Sequence, residues 1–185
     1  MKAVKSIFHN AMSVVTGPDK FFASVKKEKG LAEPMKYYAV ISSVPLLVLA
    51  VVMAAGFSIM PMPVMGGAVI AGLAILWLLQ IAVLFLSAGI MHIAVKMLGG
   101  KSGYANTYRA LAYGATPAAL FGIIPFIGIV ASLYSLYIEV KGISALQKMS
   151  TGRAVVAVLV VPLIAVVVAA AFAFWSVSFT RMMTS

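Results

Sequence analysis

Residues 104–148 read YANTYRALAYGATPAALFGIIPFIGIVASLYSLYIEVKGISALQK. Two apolar segments, 104–121 and 124–148, flank a Gly/Pro-rich hinge running from Gly122 through Pro125 to Gly128. The first carries a single arginine, Arg109, and the second a single glutamate, Glu139. A reversal near residue 124 leaves each charge 15 residues from the turn, so the two reach the same depth. Charges at membrane depth cost about 3 kcal/mol each at the centre on insertion scales, and they face protein, water or headgroups. The stretch therefore predicts a membrane-embedded helical hairpin, and function is expected there.

Composition places the rest of the chain in the same environment. Of 185 residues, 63% are apolar and 10% charged, and the mean hydropathy is +1.10; soluble domains carry about 25% charged residues. The apolar residues come in runs near or above the ~20 residues that cross a bilayer core. Five spans are expected, at about 36–60, 67–98, 104–121, 124–148 and 153–179. The expected fold is all-α: a polytopic membrane protein, a bundle of five transmembrane helices with an N-terminal amphipathic interfacial helix. Residues 1–30 form a basic amphipathic cytoplasmic segment, and residues 31–185 the transmembrane domain. Residues 1–30 have no continuous apolar core with a small-x-small site after it, so no cleavable signal peptide is expected. Without cysteine there is no disulfide framework, thiolate metal site or cysteine nucleophile.

The net charge of +10 is distributed by topology. Lys2, Lys5, Lys20, Lys26, Lys27, Lys29 and Lys36 precede or open the first span. Lys96, Lys101 and Arg109 surround the second turn, and Lys141, Lys148 and Arg153 the fourth. The turns at 61–66 and 122–125 have none, and only Arg181 falls at the other side. Basic residues concentrate on cytoplasmic loops, so the N-terminus is expected inside and the C-terminus outside. That asymmetry accounts for the charge without nucleic acid.

Residues 2–16 alternate with a helical period. Val4, Ile7, Phe8, Ala11, Met12 and Val15 form one stripe opposite Lys2, Lys5, Ser6, His9, Asn10 and Ser13. Such a helix lies in the headgroup region, apolar face down and lysines toward anionic lipid, or packs on the cytoplasmic end of the bundle. Lys2, Lys5, Phe8, Lys26, Lys27 and Lys29 are the expected lipid-surface contacts. Gly17-Pro18 breaks the helix, and Lys26, Lys27 and Lys29 before Gly30 read as a helix stop. Tyr37 and Tyr38 fit an interfacial aromatic belt.

The second span is about 48 Å long against a core of about 30 Å, so it tilts or projects. Gln80 near its centre is an interhelical hydrogen-bond donor or a pathway residue; His92 reads as a structural interfacial histidine. In the third span Ala110, Gly114, Ala118 and Gly122 recur every four residues. Such small-residue stripes let helix backbones approach closely. Ala165, Ala169 and Ala173 mark a weaker contact face on the fifth. Pro117 should kink the third span and free a carbonyl that a neighbour must satisfy. Pro117, Pro125 and Gly128 are the expected hinge residues.

Asn106, Arg109, Tyr113 and Thr116 share a face roughly opposite the small-residue stripe, and Ser132, Ser135 and Glu139 share a face of the next span. Meeting across the hairpin, these faces would pair Arg109 with Glu139 and leave hydroxyls deeper. Alternatively each charge snorkels to headgroups as an anchor. With Gln80, they form the candidate intramembrane polar network. Enzymatic chemistry is not expected. The chain has two histidines and four carboxylates, without HExxH, paired-carboxylate or phosphate-loop motifs. Gly142-Ile143-Ser144-Ala145 is similar to an intramembrane serine-protease motif, but it lies at a span end with only distant His92 as a base. No catalytic residue, metal ligand or cofactor site is assigned.

Several motifs follow a familiar order. Tyr108-Arg109-Ala110 leads to Ala112-Tyr113-Gly114-Ala115-Thr116-Pro117, then Ile124-Pro125-Phe126-Ile127-Gly128, then a tyrosine-bearing span to Gly142. Ser150-Thr151-Gly152-Arg153-Ala154 opens the last span, and Gly17-Pro18-Asp19-Lys20-Phe21-Phe22 precedes the first. The chain resembles the Yip family, the Ypt/Rab-interacting membrane proteins, in particular its prokaryotic branch. The resemblance implies five transmembrane helices and a cytoplasmic N-terminus. In eukaryotic members it implies binding of prenylated Rab GTPases, vesicle formation and membrane shaping. The expected function is a non-enzymatic membrane adaptor or organiser, in contact with anionic headgroups and open to a protein partner at the cytoplasmic face or to self-association. The alternative is a small transporter, channel or lipid-moving protein with a polar pathway between the third and fourth helices.

Overall fold

A computed structural model describes residues 2–59 and 66–184; the side chains of residues 2–5 and 181, and of a few others near 54–59, 66 and 169–184, lie outside what it describes. Lys2, Lys5, Ala169, Arg181 and the turn at 60–65 therefore carry no structural account. All described regular structure is helical. The helices are α1 (Lys2–Thr16), α2 (Pro18–Ser24), α3 (Ala32–Ile59), α4 (Gly66–Met97), α5 (Tyr104–Gly114), α6 (Thr116–Phe121), α7 (Ile127–Gln147) and α8 (Thr151–Thr184).

Four of these are long and apolar enough to cross a membrane: Ala32–Met53, Gly67–Met97, Ile127–Gln147 and Thr151–Ser176. The expected third span is not one continuous helix. It breaks at Ala115 into α5 and α6, because Pro117 sits in the first turn of α6, where its missing N–H costs least.

Local sequence explains the punctuation. Pro18 occupies the first turn of α2, and a short 3₁₀ turn at Val25–Lys27 stops before Gly30, whose φ of 75° suits a residue without Cβ. After α4, Gly99 adopts φ 92°, and the Gly100 N–H returns to the Val95 carbonyl at 2.8 Å.

The core lies at one end of the molecule. Val14, Phe22, Tyr37, Met91, Val95, Tyr108, Tyr113, Ile138, Ile143 and Val158 are fully enclosed there. Toward the other end α3, α4 and α8 expose Val51, Val52, Ile70, Leu78, Val166 and Phe172. Apolar side chains left uncovered on several helices are what a lipid solvent accepts. Ala165 and Ala173, expected at a contact face, are likewise exposed.

The N-terminal segment is part of this core. On α1, Ala11 and Val14 are buried, whereas Phe8 and Met12 stay 71% and 67% exposed. The expected single stripe is thus divided between an inward row and an outward one. Phe21, Phe22 and Val25 add to the core, and the Tyr134 hydroxyl donates to the Val15 carbonyl at 2.6 Å.

Candidate functional site

Arg109 on α5 is 1% exposed and the bulkiest fully buried side chain among the described residues. Its Nη1 donates to Asn106 Oδ1 at 2.6 Å, one helical turn back. Its Nη2 donates to the carbonyls of Glu28 at 2.9 Å and Gly30 at 3.1 Å. Its Nε lies 3.3 Å from Glu28 Oε2, within ion-pair distance. Tyr113, four residues on and hence on the same face, donates its hydroxyl to the same carboxylate at 3.1 Å. The planar guanidinium has five donors and no acceptor, so one side chain clasps a whole turn of the N-terminal segment. Partial burial pushes the Glu28 carboxyl above its ordinary range, while the Tyr113 hydroxyl and the Arg109 charge pull it back.

The expected pairing of Arg109 with Glu139 is therefore replaced by Arg109 with Glu28. The reason is which face of α5 meets α7. Backbones approach most closely where side chains are smallest, and the stripe takes that contact. A Cβ on Gly142 would fall 2.9 Å from Ala110 Cβ, and one on Gly114 would fall 3.1 Å from Glu139 Cα. A Cβ on Gly128 would fall 3.0 Å from the Gly122 carbonyl carbon. Ala110, Gly114 and Gly122 thus line the α5–α6 contact with α7, and Ala118 joins them through its N–H, which donates to Ser135 Oγ at 2.9 Å. With that face committed to α7, Asn106, Arg109, Tyr113 and Thr116 turn to the N-terminal segment and α3.

The hairpin itself is as expected in outline. Ser102 Oγ donates to the Leu146 carbonyl at 2.7 Å, closing one end, and Gly122 meets Gly128 at the other. The α5–α6 limb and α7 consequently span the same depth. At the hinge Phe126 takes a φ of 62°, uncommon for a bulky side chain, and the Gly128 N–H reaches the Ile124 carbonyl at 2.7 Å.

Pro117 cannot donate to the Tyr113 carbonyl, and the Thr116 hydroxyl does so instead at 2.6 Å. Having given its one hydrogen, Thr116 must accept from the Tyr37 hydroxyl, 2.7 Å away. Tyr37, expected in an aromatic belt, is thus a buried strut between α3 and α6, its ring 4.7 Å from that of Tyr113.

A second buried polar cluster escaped the sequence reading. Gln147 Nε2 donates to Thr107 Oγ1 at 2.8 Å and to the Gly103 carbonyl at 3.1 Å, and its Oε1 accepts the Ser102 N–H at 3.0 Å. His92 Nδ1 lies 2.8 Å from the same Thr107 hydroxyl. A glutamine at the end of an apolar span was the available signal. Ser144, of the protease-like motif, donates to the Met149 carbonyl at 2.9 Å.

Glu139 stands apart. It has no hydrogen bond or ion pair among the described residues. It lines a cavity of about 740 Å³ together with Ser132, Ser135, Leu136, Phe126 and Pro162. Gln80 lines a neighbouring cavity with Tyr38, Ala115 and Ala118, and Ala118 and Gly122 form a wall of both. The expected single network is therefore divided: Asn106, Arg109 and Tyr113 bond at the N-terminal segment, Ser132, Ser135 and Glu139 line one cavity, and Gln80 lines the adjoining one. Of the expected lipid contacts, Phe8, Lys26, Lys27 and Lys29 are exposed.

No curated protein and no solved structure matches the chain. The sequence pattern of the Yip1 domain matches residues 12–174, from the end of α1 through α2 and the Arg109 clasp to most of the last span. The chain is a membrane protein of the Yip1 domain family.

Proposed function

We propose that this Yip1-domain protein is a non-enzymatic membrane adaptor or organiser that presents a rigid basic face to the cytoplasm. The observation that carries it is the clasp of Arg109 on Glu28 and Gly30, which fixes the N-terminal segment to the bundle. Lys26, Lys27, Lys29, Lys36, Lys101, Lys148 and Arg153 are all exposed. Contacts of Lys101 with Gln147, and of Arg153 with Leu98, draw the later loops to the clasp end of the bundle. Basic residues near a surface attract anionic lipid by about 1 kcal/mol each. Phe8 and Met12, exposed on α1, suit insertion among headgroups. The N-terminus is then cytoplasmic by the positive-inside rule. The α5–α6 limb, equal in depth to α7, makes the fifth crossing and places the C-terminus outside.

Two experiments test this. Reversing Lys20, Lys26, Lys27 and Lys29 to glutamate leaves every buried contact intact. The variant should lose association of the cytoplasmic face with anionic vesicles, or with a partner crosslinked in native membranes, while folding normally; unchanged association would refute the role. For topology, cysteines introduced singly at 64, 101 and 124 should place 101 opposite both others. Labelling of 101 and 124 from one side would refute the fifth crossing.

One observation favours a second function, a small transporter or lipid-moving protein: Glu139 beside a cavity at membrane depth. Arg109 lies outside that route. Solute or lipid flux in proteoliposomes that falls in Glu139→Gln and survives in Arg109→Lys would support it over the adaptor.

A further inference from the structure

Glu139 sits within α7, twelve residues from its start and eight from its end. A carboxyl there needs a partner, and among the described residues no cation is paired with it. Arg109 is held by Glu28 at 3.3 Å, and Lys141 by Asp19 at 3.1 Å. Its polar surroundings are neutral: hydroxyls, and helix carbonyls that have lost their usual N–H. Pro162, which lines both cavities touching Glu139, has no N–H for the Val158 carbonyl. The Gly114 carbonyl loses the Ala118 N–H to Ser135 Oγ, and Gly114 packs directly on Glu139. Ser135 Oγ accepts that N–H and keeps its own hydrogen, so the donors around the carboxyl are the neutral hydroxyls of Ser135, Ser132, Ser87 and Tyr38.

The remaining walls are apolar. Phe126, Ile129 and Leu133 on the rim are 83%, 64% and 63% exposed, so the cavity opens sideways toward lipid rather than along the bundle axis. Its volume of about 740 Å³ is ligand-sized. A hard metal ion needs six or more oxygens, and no cluster of three acidic or histidine side chains occurs among the described residues. A phospholipid would bring a phosphate beside Glu139 with no cation to meet it.

We propose that the Glu139 cavity binds a single-chain lipophilic amine, its ammonium on Glu139 and its apolar tail along Phe126, Ile129 and Leu133. An ammonium brings the positive charge that the described residues do not pair with Glu139, and three donors for the carboxylate and the hydroxyl and carbonyl oxygens beside it. The tail enters laterally from the bilayer. The site is separate from the basic face proposed above and does not depend on it.

The test uses the full chain in nanodiscs of neutral lipid, with radiolabelled dodecylamine as the probe and protein-free nanodiscs as the partition control. Dodecylamine should bind saturably, one per chain, above the control. Dodecanol, with the same tail and no charge, should bind about ten-fold more weakly or worse, the scale of one charge-assisted hydrogen bond. Glu139→Gln should lose the same factor for the amine and nothing for the alcohol. Ser132→Phe keeps Glu139 and fills the cavity from its exposed rim, so it should lose amine binding at unchanged thermal stability. Excess lysophosphatidylethanolamine should not compete. Amine uptake no greater than the control, equal binding of amine and alcohol, an indifferent Glu139→Gln or Ser132→Phe, or displacement by the lysolipid would each overturn the proposal.

Discussion

Alanine at Gly114 and at Gly89 should move stability in opposite directions. A methyl at 114 would sit 2.5 Å from Glu139 Cγ and 3.1 Å from both the Glu139 Cα and its backbone nitrogen. Carbon atoms prefer about 3.5–4.0 Å. The glutamate side chain can swing away, but the α7 backbone cannot, so α5 and α7 must part by about half an ångström. Overpacking of this kind costs about 1–3 kcal/mol. The gain from replacing glycine in a helix, about 1 kcal/mol at most, is small here because Gly114 ends α5. At Gly89, within α4, an added methyl meets nothing within 4 Å, so Gly89→Ala should stabilise by about 0.5–1 kcal/mol. Thermal unfolding in detergent, followed by helical circular dichroism, reads both. The midpoint should fall by about 2–12 °C in Gly114→Ala, at about 2–4 °C per kcal/mol for a chain of this size, and rise slightly in Gly89→Ala. Gly142→Ala, whose methyl would meet Phe22 Cζ at 2.7 Å and Ala110 Cβ at 2.9 Å, should behave like Gly114→Ala. If Gly114→Ala and Gly142→Ala match Gly89→Ala, the small-residue face of α5 does not meet α7.

Other perturbations separate the remaining contacts. Arg109→Met should cost about 3–5 kcal/mol, the range for breaking a buried ion pair, and expose the chain at 28–31 to limited proteolysis. Adding Glu28→Met should recover part of that loss, because the two residues share one interaction. Thr116→Val keeps the shape but strands the Tyr113 carbonyl and the Tyr37 hydroxyl, at a cost of about 1–3 kcal/mol in thermal unfolding. Lys141→Gln, by contrast, removes an ion pair whose members are 29% and 70% exposed, so its midpoint should move by less than about 1 kcal/mol's worth.

Class and outline were legible in the chain. Apolar runs are local, so length and hydropathy place α3, α4, α7 and α8 in a membrane without knowledge of their neighbours. The hinge from Gly122 to Gly128, the close-packing stripe and the carbonyl freed by Pro117 are also local, set by missing side chains or a missing N–H. How each helix is rotated about its own axis came from packing alone. Periodicity puts Asn106, Arg109, Tyr113 and Thr116 on one face, but it does not say what that face meets. Close packing gave the opposite face to α7, and a buried guanidinium then needed acceptors wherever they lay. It found them 81 and 79 residues away, in the backbone of a loop. Carbonyls are the same in every residue, so no pattern of side chains could have announced them, and Glu139 was left to face a cavity alone.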